Sequence, residues 1–178
     1  VLLGPETDAY RNSTMIRANL DKKITVRSLL PDKMERFPWR GHIGLHLLDA
    51  VIPIIERSRT TLIFTNTRGQ CEIWFQKILE RYPHLAGEIA MHHGSINKDT
   101  RLWVEQAIRN ESLKAVVCTS SLDLGVDFGP VDRVIQVGGP KGVGRLVQRA
   151  GRSGHTPDGR SRIWPFKRME GRQAYDAG

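Results

Sequence analysis

Three segments of this chain combine a short apolar run with hydroxyl, amide or glycine residues at its end. They are Leu62–Arg68 (LIFTNTR), Met91–Ile96 (MHHGSI) and Lys114–Asp127 (KAVVCTSSLDLGVD). Each pattern predicts a buried strand whose carboxyl end is followed by the start of a helix. In an open parallel sheet such strand ends share one edge, where helix N-termini offer free N–H groups to phosphates. We therefore expect a phosphate-rich partner.

Strands and helices are predicted to alternate along most of the chain. The predicted strands are Lys23–Leu30, Thr60–Thr65, Glu88–His92, Ala115–Thr119, Arg133–Val137 and, as an edge strand, Arg160–Trp164. The predicted helices are His42–Arg57, which Pro53 should kink or restart, Gly69–Tyr82, a helix capped by Asn97 and ending at Asn110, and Val143–Arg152, with a short turn near Leu122. This alternation predicts a three-layer α/β domain with a mainly parallel sheet.

The length and composition fit one domain. The chain has 178 residues, of which 39% are hydrophobic and 26% charged, enough for one proper core. We expect residues 1–22 to be a linker or the remnant of a preceding domain, because the chain begins abruptly with VLLG. Residues 23–165 should form the folded domain, and residues 166–178 a flexible tail.

The charge of the chain favours a polyanionic partner. The net charge is +8 and the pI about 9.9. Nine Lys or Arg and three Asp or Glu lie between residues 141 and 178, so +6 of the charge is concentrated there, as in nucleic-acid-binding proteins. Cys71 and Cys118 are outside any CxxC spacing and are predicted to be structural, in a reducing compartment. With no signal peptide or membrane-spanning run, a cytoplasmic protein is expected.

The segment Gln148–His155 (QRAGRSGH) lies within this basic region. Arg149 and Arg152 are three residues apart and so lie near each other on a helix, while Gly151 and Gly154 allow close approach of a ligand. The segment could present guanidinium groups to a phosphate. By itself, it could equally be a solvated helix face.

Taken together and in this order, these blocks resemble the second RecA-like lobe of superfamily 2 helicases. LIFTNTR resembles motif IV, KAVVCTSSLDLGVD motif V and QRAGRSGH motif VI. The phrases MHHGS and CTSSLDLGVDFGPVD are most similar to the large helicase-related group, in particular the bacterial ligase-associated DEXH-box type. The resemblance implies a RecA-like helicase C-terminal lobe in an ATP-dependent DNA helicase, with a role in DNA repair.

Such helicases hold ATP and Mg²⁺ between two lobes, and the resemblance implies that this chain supplies only one of them. A phosphate loop GxxxxGK[ST] is not found, since its nearest match, Gly139–Arg145, has Arg145 in place of lysine,. A DExH box is also absent from the sequence. We therefore expect ATP and Mg²⁺ to be bound mainly by an N-terminal lobe, and this fragment alone to be inactive.

The resemblance also implies roles for individual residues. Arg152 is expected to be an arginine finger that reaches the γ-phosphate, with Gln148 near that phosphate or the attacking water and Arg149 paired with acidic groups near the lobe interface. Residues expected near the nucleotide are Gly125, Asp127 and His155, the last of which replaces an arginine found in many relatives. Residues expected to contact nucleic-acid phosphates are Thr67, Arg68, His93, Gly94, Ser95, Thr119 and Ser120. For each hydroxyl, helix capping is the alternative.

Other signals are weaker. His42 and His46 have metal-ligand spacing but lack accompanying ligands, so no metal site is predicted. Trp74 and Trp103 are predicted to lie in the core, whereas Trp39 and Trp164 are better candidates for base stacking. Two alternative functions remain open at this stage: the lobe of an RNA helicase, and a non-catalytic nucleic-acid-binding module.

Overall fold

A computed structural model describes residues 24–27, 29, 44–123, 131–139, 141–154 and 161–165 of the chain. Within them, six parallel strands form one sheet in the order β1-β6-β5-β2-β4-β3. The strands are β1 (Ile24–Val26), β2 (Thr61–Phe64), β3 (Ile89–His92), β4 (Ala115–Cys118), β5 (Arg133–Gln136) and β6 (Ser161–Pro165). The helices are α1 (Leu48–Glu56), α2 (Arg68–Arg81), α3 (Lys98–Arg109) and α4 (Val143–Ala150), with 3₁₀ turns at Leu45–Leu47, Pro83–Leu85 and Ser120–Leu122.

The helices cover both faces of the sheet. Every residue of β2 and β4 is buried, as expected for central strands of a parallel sheet. Alternate side chains enter two separate cores, so that Ile63 packs with α1 and α2, whereas Leu62 and Phe64 pack with α3 and α4. The predicted three-layer α/β fold with a parallel sheet is confirmed.

The core on each face depends on a stripe of apolar residues along its helices. On α2, Trp74 and Ile78 are one turn apart and both fully buried. On α3 the buried residues are Val104, Ala107 and Ile108, which share one side of a helix with 3.6 residues per turn.

Two tryptophan predictions need correction. Trp103 was expected in the core, but it is 60% exposed and its neighbour Leu102 is 50% exposed. Both residues lie outside the stripe that Val104 and Ile108 define, so they face away from the sheet. Trp164 is only 9% exposed, because β6 lies between β1 and β5 and is not the edge strand that was predicted. The ring of Trp164 packs against the guanidinium of Arg133.

Element boundaries differ from the predictions at several ends. Helix α1 begins at Leu48 and runs through Pro53 to Glu56 without a new start, and the predicted strand at residues 23–30 is limited to Ile24–Val26. The predicted linker at 1–22 and tail at 166–178 lie outside the described residues, as do Trp39 and His42. Cys71 and Cys118 are buried free thiols. Burial raises the pKa of Cys71 to about 12 and raises that of Cys118 as well, so both thiols stay protonated.

The predicted cap of α3 is confirmed. The side chain of Asn97 accepts a hydrogen bond from the backbone N–H of Thr100 at 2.7 Å. We expect Asn97→Ala to lower the free energy of unfolding by about 1 kcal/mol, because this N–H loses its partner. Urea denaturation measures the change. Asn110→Ala at the other end of α3 is the control and should change stability by less than about 0.5 kcal/mol; equal losses from both variants would contradict the assignment of the cap.

Candidate nucleotide and nucleic-acid interface

The segments that follow β2, β4 and β3 lie side by side at the carboxyl edge of the sheet. Phe64 and His92 are both in register with Cys118 of the strand between them, so the residues that follow each strand leave the sheet at one level. Six of the seven predicted phosphate contacts have side chains or backbone that are exposed or half-buried there. They are Thr67, Arg68, Gly94, Ser95, Thr119 and Ser120.

Thr67 is the N-cap of α2. Its hydroxyl oxygen accepts a hydrogen bond from the backbone N–H of Gln70 at 3.2 Å, and the side chain of Gln70 in return accepts one from the backbone N–H of Asn66 at 3.1 Å. Helix capping is therefore a real role of Thr67. It does not exclude phosphate binding, since the hydroxyl proton stays available to donate.

The loop after β2 is also fixed to the loop after β5. The side-chain amide of Asn66 donates a hydrogen bond to the backbone carbonyl of Gly139 at 3.0 Å. Gly138 has φ +76°, and a Cβ there would lie 3.0 Å from the amide nitrogen of Asn66. A side chain at position 138 would both strain the backbone and press on Asn66, so this close approach requires glycine.

His93 is the exception among the predicted contacts, because its side chain is buried. Its Nδ1 accepts a hydrogen bond from the backbone N–H of Ser95 at 3.3 Å, which stabilises the turn that presents Gly94 and Ser95. Burial lowers the pKa of His93 and favours the neutral ring. In this conformation His93 shapes the turn, and the neighbouring residues are the ones that a phosphate can reach.

His92, which sequence analysis did not select, links three elements beneath this edge. Its Nδ1 lies 2.8 Å from the hydroxyl of Ser121, and its Nε2 lies 3.3 Å from a carboxylate oxygen of Glu105 on α3. Burial is the largest effect on the pKa of His92 and lowers it, against the opposing effect of Glu105. The signal in the sequence is that position 92 faces inward on β3, two residues after the buried Ala90, where a polar residue needs partners.

Asp123 is the second residue that sequence analysis did not select, and it joins the turn after β4 to α4. One carboxylate oxygen accepts from Nε of Arg149 at 2.7 Å and the other from Nη2 at 3.2 Å. The Nη1 of Arg149 donates to the side-chain carbonyl of Gln136, and its guanidinium lies 4.5 Å from the ring centre of Phe64. Arg149 is 1% exposed, so its guanidinium is buried and has its partners within this domain.

Arg152 and Gln148 are placed differently from Arg149. Gln148 is exposed on α4, and Arg152 is half-buried just beyond the end of the helix. The Nη2 of Arg152 donates to the backbone carbonyl of Asp123 at 2.6 Å. Asp123 thus binds Arg149 through its side chain and Arg152 through its main chain, and the guanidinium of Arg145 lies 3.6 Å from its carboxylate.

The turn from Thr119 to Asp123 connects the two sets of predicted residues. Its first part carries Thr119 and Ser120, and its last residue holds Arg149 and Arg152. The turn is closed by backbone hydrogen bonds from Leu122 to Thr119 and from Asp123 to Ser120. The predicted nucleotide contacts Gly125, Asp127 and His155 lie outside the described residues.

Other features of the described residues do not overlap with this edge. A shallow pocket between α1 and α2 is lined by Leu45, Leu48, Lys77, Glu80 and Arg81, none of which was predicted to function. No group of three or more His, Cys, Asp or Glu within the described ranges could hold a metal ion. None of the helices in that part of the chain has the length and apolar character needed to cross a membrane.

Comparison with known proteins gives one consistent answer. The profile of the family described as "Helicase conserved C-terminal domain" matches residues 45–156. An "ATP-dependent helicase Lhr-Core" of Methanothermobacter thermautotrophicus is 43% identical over 165 residues, which cover 90% of this chain and 19% of that protein. A "Lhr helicase/ probable uracil glycosylase" of Mycolicibacterium smegmatis is 53% identical over 169 residues, covering 78% of this chain and 10% of that protein.

A solved structure of a helicase of the same name is also similar to this chain. The Mycobacterium smegmatis helicase Lhr bound to single-stranded DNA and AMP-PNP superposes with a TM-score of 0.69 at 31% identity, over 82% of this chain and 19% of that one. The chain thus spans a fifth or less of the length of these similar proteins.

Proposed function

Because the chain belongs to the family of helicase conserved C-terminal domains, and to its Lhr type, we propose that it is the second RecA-like lobe of an ATP-dependent DNA helicase or translocase. The activity would belong to a larger protein, in which an N-terminal RecA-like lobe completes the ATP site. A role in DNA repair, which rests on the resemblance, and a cytoplasmic location, which is expected from the sequence, are part of the same proposal.

The observation that supports this function best is the pair of bonds at Asp123. Arg152 lies at the end of α4, with Gln148 exposed nearby. Arg149 and Arg152 are both bonded to Asp123, the last residue of the turn that carries Thr119 and Ser120. In the proposed mechanism Arg152 extends to the γ-phosphate of ATP on the other lobe and stabilises the charge that develops during transfer. Gln148 orients the attacking water or the phosphate. Arg149 acts as a positioning residue, because its guanidinium is already bonded to Asp123 and Gln136.

The carboxyl edge of the sheet is proposed to bind one nucleic-acid strand. After β2, Thr67 and Arg68 would contact phosphates. After β3, Ser95 would do so, and Gly94 would leave room for the nucleic-acid backbone to approach. After β4, Thr119 and Ser120 would contact phosphates in the same way. Contacts of this kind fix position without reading base sequence, as movement along a strand requires. A movement of Arg152 toward the other lobe would change its bond to Asp123 and so would act on the turn that holds Thr119.

The remaining assignments concern the nucleotide. Gly125, Asp127 and His155 are proposed to lie near ATP, His155 as a weaker contact than the arginine of many relatives. By the resemblance, Mg²⁺ is assigned to the N-terminal lobe, where it would neutralise phosphate charge.

DNA is proposed over RNA because a structure that is 31% identical to this chain is of a helicase bound to single-stranded DNA. The RNA-bound helicase Dbp5 of S. cerevisiae is 17% identical and shares the fold, which by itself supports no substrate. An RNA helicase lobe is the alternative in the same superfamily.

The proposal is tested by comparing the full-length protein with the isolated 178-residue chain. We expect the full-length protein to hydrolyse ATP faster when single-stranded DNA is added and to separate a DNA duplex. The isolated chain should show no turnover above background, because it supplies a finger without the phosphate-binding loop. Turnover by the isolated chain would contradict the division into two lobes. Equal or faster unwinding of a matched RNA duplex would favour the RNA helicase, and binding without hydrolysis by the full-length protein would favour a non-catalytic module.

A further inference from the structure

Arg68 is the proposed phosphate contact with the largest charge, yet it already has an anionic partner. Its side chain is 62% exposed, and its Nε donates to Oε1 of Glu72 at 2.9 Å, one turn along α2. A phosphate that approaches Arg68 must therefore compete with the Glu72 carboxylate for the guanidinium. Exposed pairs of this kind are weak, so a phosphate can displace the carboxylate.

A second donor lies beside the same carboxylate oxygen. The Nδ1 of His93 accepts a hydrogen bond from Ser95, so in the neutral ring the proton is on Nε2. That Nε2 is buried without a hydrogen-bond partner and lies 3.6 Å from Oε1 of Glu72, beyond hydrogen-bond distance. Buried donors without a partner are unfavourable. A movement of the Glu72 carboxylate by about 0.5 Å toward the ring would supply the missing acceptor.

We propose that Glu72 is a displaceable counter-ion of the nucleic-acid site, which releases Arg68 to an incoming phosphate and then accepts a hydrogen bond from Nε2 of His93. This inference rests on the proposed function, since it takes Arg68 as a phosphate contact. When the strand leaves, the Glu72 carboxylate binds Arg68 again. Because Arg68 exchanges between the phosphate and this carboxylate, the site would release each phosphate readily, as a protein that steps along a strand requires.

The test measures the affinity of the full-length protein for a single-stranded DNA oligonucleotide without ATP. Glu72→Gln removes the competing charge, and we expect a dissociation constant that is about two- to five-fold lower. Glu80→Gln is the matched control, because it lies about two turns further along α2 and pairs with Lys77. It should leave the affinity unchanged. No gain from Glu72→Gln, or an equal gain from both variants, would overturn the proposal.

A double-mutant cycle shows whether the gain acts through Arg68. In an Arg68→Ala background, Glu72→Gln should give no further gain, whereas a gain that persists would mean general electrostatics and overturn the proposal. If Arg68→Ala alone binds the strand as tightly as the wild type, the phosphate contact of the proposed function is wrong. If Arg68→Ala weakens binding but Glu72→Gln does not strengthen it, only the counter-ion inference fails.

His93→Asn tests the receiving donor. The side-chain oxygen of asparagine can replace Nδ1 as the acceptor for the N–H of Ser95. Asparagine has no atom at the position of Nε2, which faces Glu72. We expect strand binding to weaken about two- to five-fold, and the loss to disappear when Glu72→Gln is also present. Wild-type affinity of His93→Asn would overturn the role given to His93.

Discussion

Arg152→Ala in the full-length protein is expected to lower the kcat of DNA-stimulated ATP hydrolysis by about 10³- to 10⁵-fold, the effect of losing an arginine finger in phosphoryl transfer. Arg152 is half-buried at the end of α4, and its Nη2 hydrogen bonds to a main-chain carbonyl of Asp123. Alanine removes the guanidinium that the proposed mechanism brings to the γ-phosphate. A coupled assay of ATP turnover at saturating DNA measures the loss directly.

Two further variants make this result specific. Arg145→Ala removes the same charge from α4. The side chain of Arg145 is 41% exposed, and its guanidinium lies 3.6 Å from the Asp123 carboxylate. Because solvent and salt screen an exposed charge, this variant should lower kcat by less than about tenfold. Arg152→Lys retains the charge but lacks the planar fork, so it should restore only part of the rate. If Arg152→Ala and Arg145→Ala behave alike, Arg152 is not the finger.

Arg149→Met is expected to lower the free energy of unfolding by about 3–5 kcal/mol, because a buried carboxylate loses the two hydrogen bonds that Arg149 donates,. The exposed Arg145 guanidinium lies 3.6 Å away, too far to replace them with a hydrogen bond. The side chain of Asp123 is 7% exposed, and Gln136 loses a donor at the same time. For a domain of this size, the loss corresponds to a fall in Tm of roughly 6–20 °C. Urea and thermal denaturation of the 178-residue chain, followed by circular dichroism, measure both quantities.

Arg59→Met is the matched control for this prediction. Arg59 also faces two carboxylates, those of Glu111 and Asp132, but its side chain is 64% exposed, and such surface pairs contribute about 0–1 kcal/mol. Adding Asp123→Leu to Arg149→Met should recover part of the lost stability, because no buried charge then remains at these two positions. A loss below about 1 kcal/mol from Arg149→Met would mean that water reaches Asp123 more easily than its burial indicates.

The fold was largely predictable because its strands and helices have clear periodic patterns. β2 and β4 are largely apolar, fully buried runs that are followed by polar residues, and Asn97 is a residue type favoured at the start of a helix. The error at Trp103 has a physical cause. On α3 any of several apolar residues could define the buried stripe, and only packing against the sheet selects Val104 and Ile108. The position of β6 was also not predictable, since sequence does not give the order of strands.

The candidate site was predicted in part, and what was missed depends on tertiary contacts. The motif containing Arg149 and Arg152 shows two arginines of similar appearance, yet one is buried and the other is half-exposed. That difference arises because Asp123, 26 residues before Arg149 in the chain, lies beside α4 in the fold. His92 was passed over for a similar reason, as its partners on α3 and the turn after β4 are distant in sequence. The functional roles themselves remain predictions.

The pairing of β1 with β6 has a consequence for synthesis of the protein. Ile24 lies opposite Ser161, roughly 140 residues later, and ribosomes add about 5–20 residues per second. A nascent chain therefore carries β1 for roughly 7–30 s before its only partner strand within the described sheet emerges. During that time the backbone N–H and C=O groups of Ile24–Val26 have no strand to pair with in the described sheet, and unpaired strand edges of this kind make a folding chain prone to aggregate.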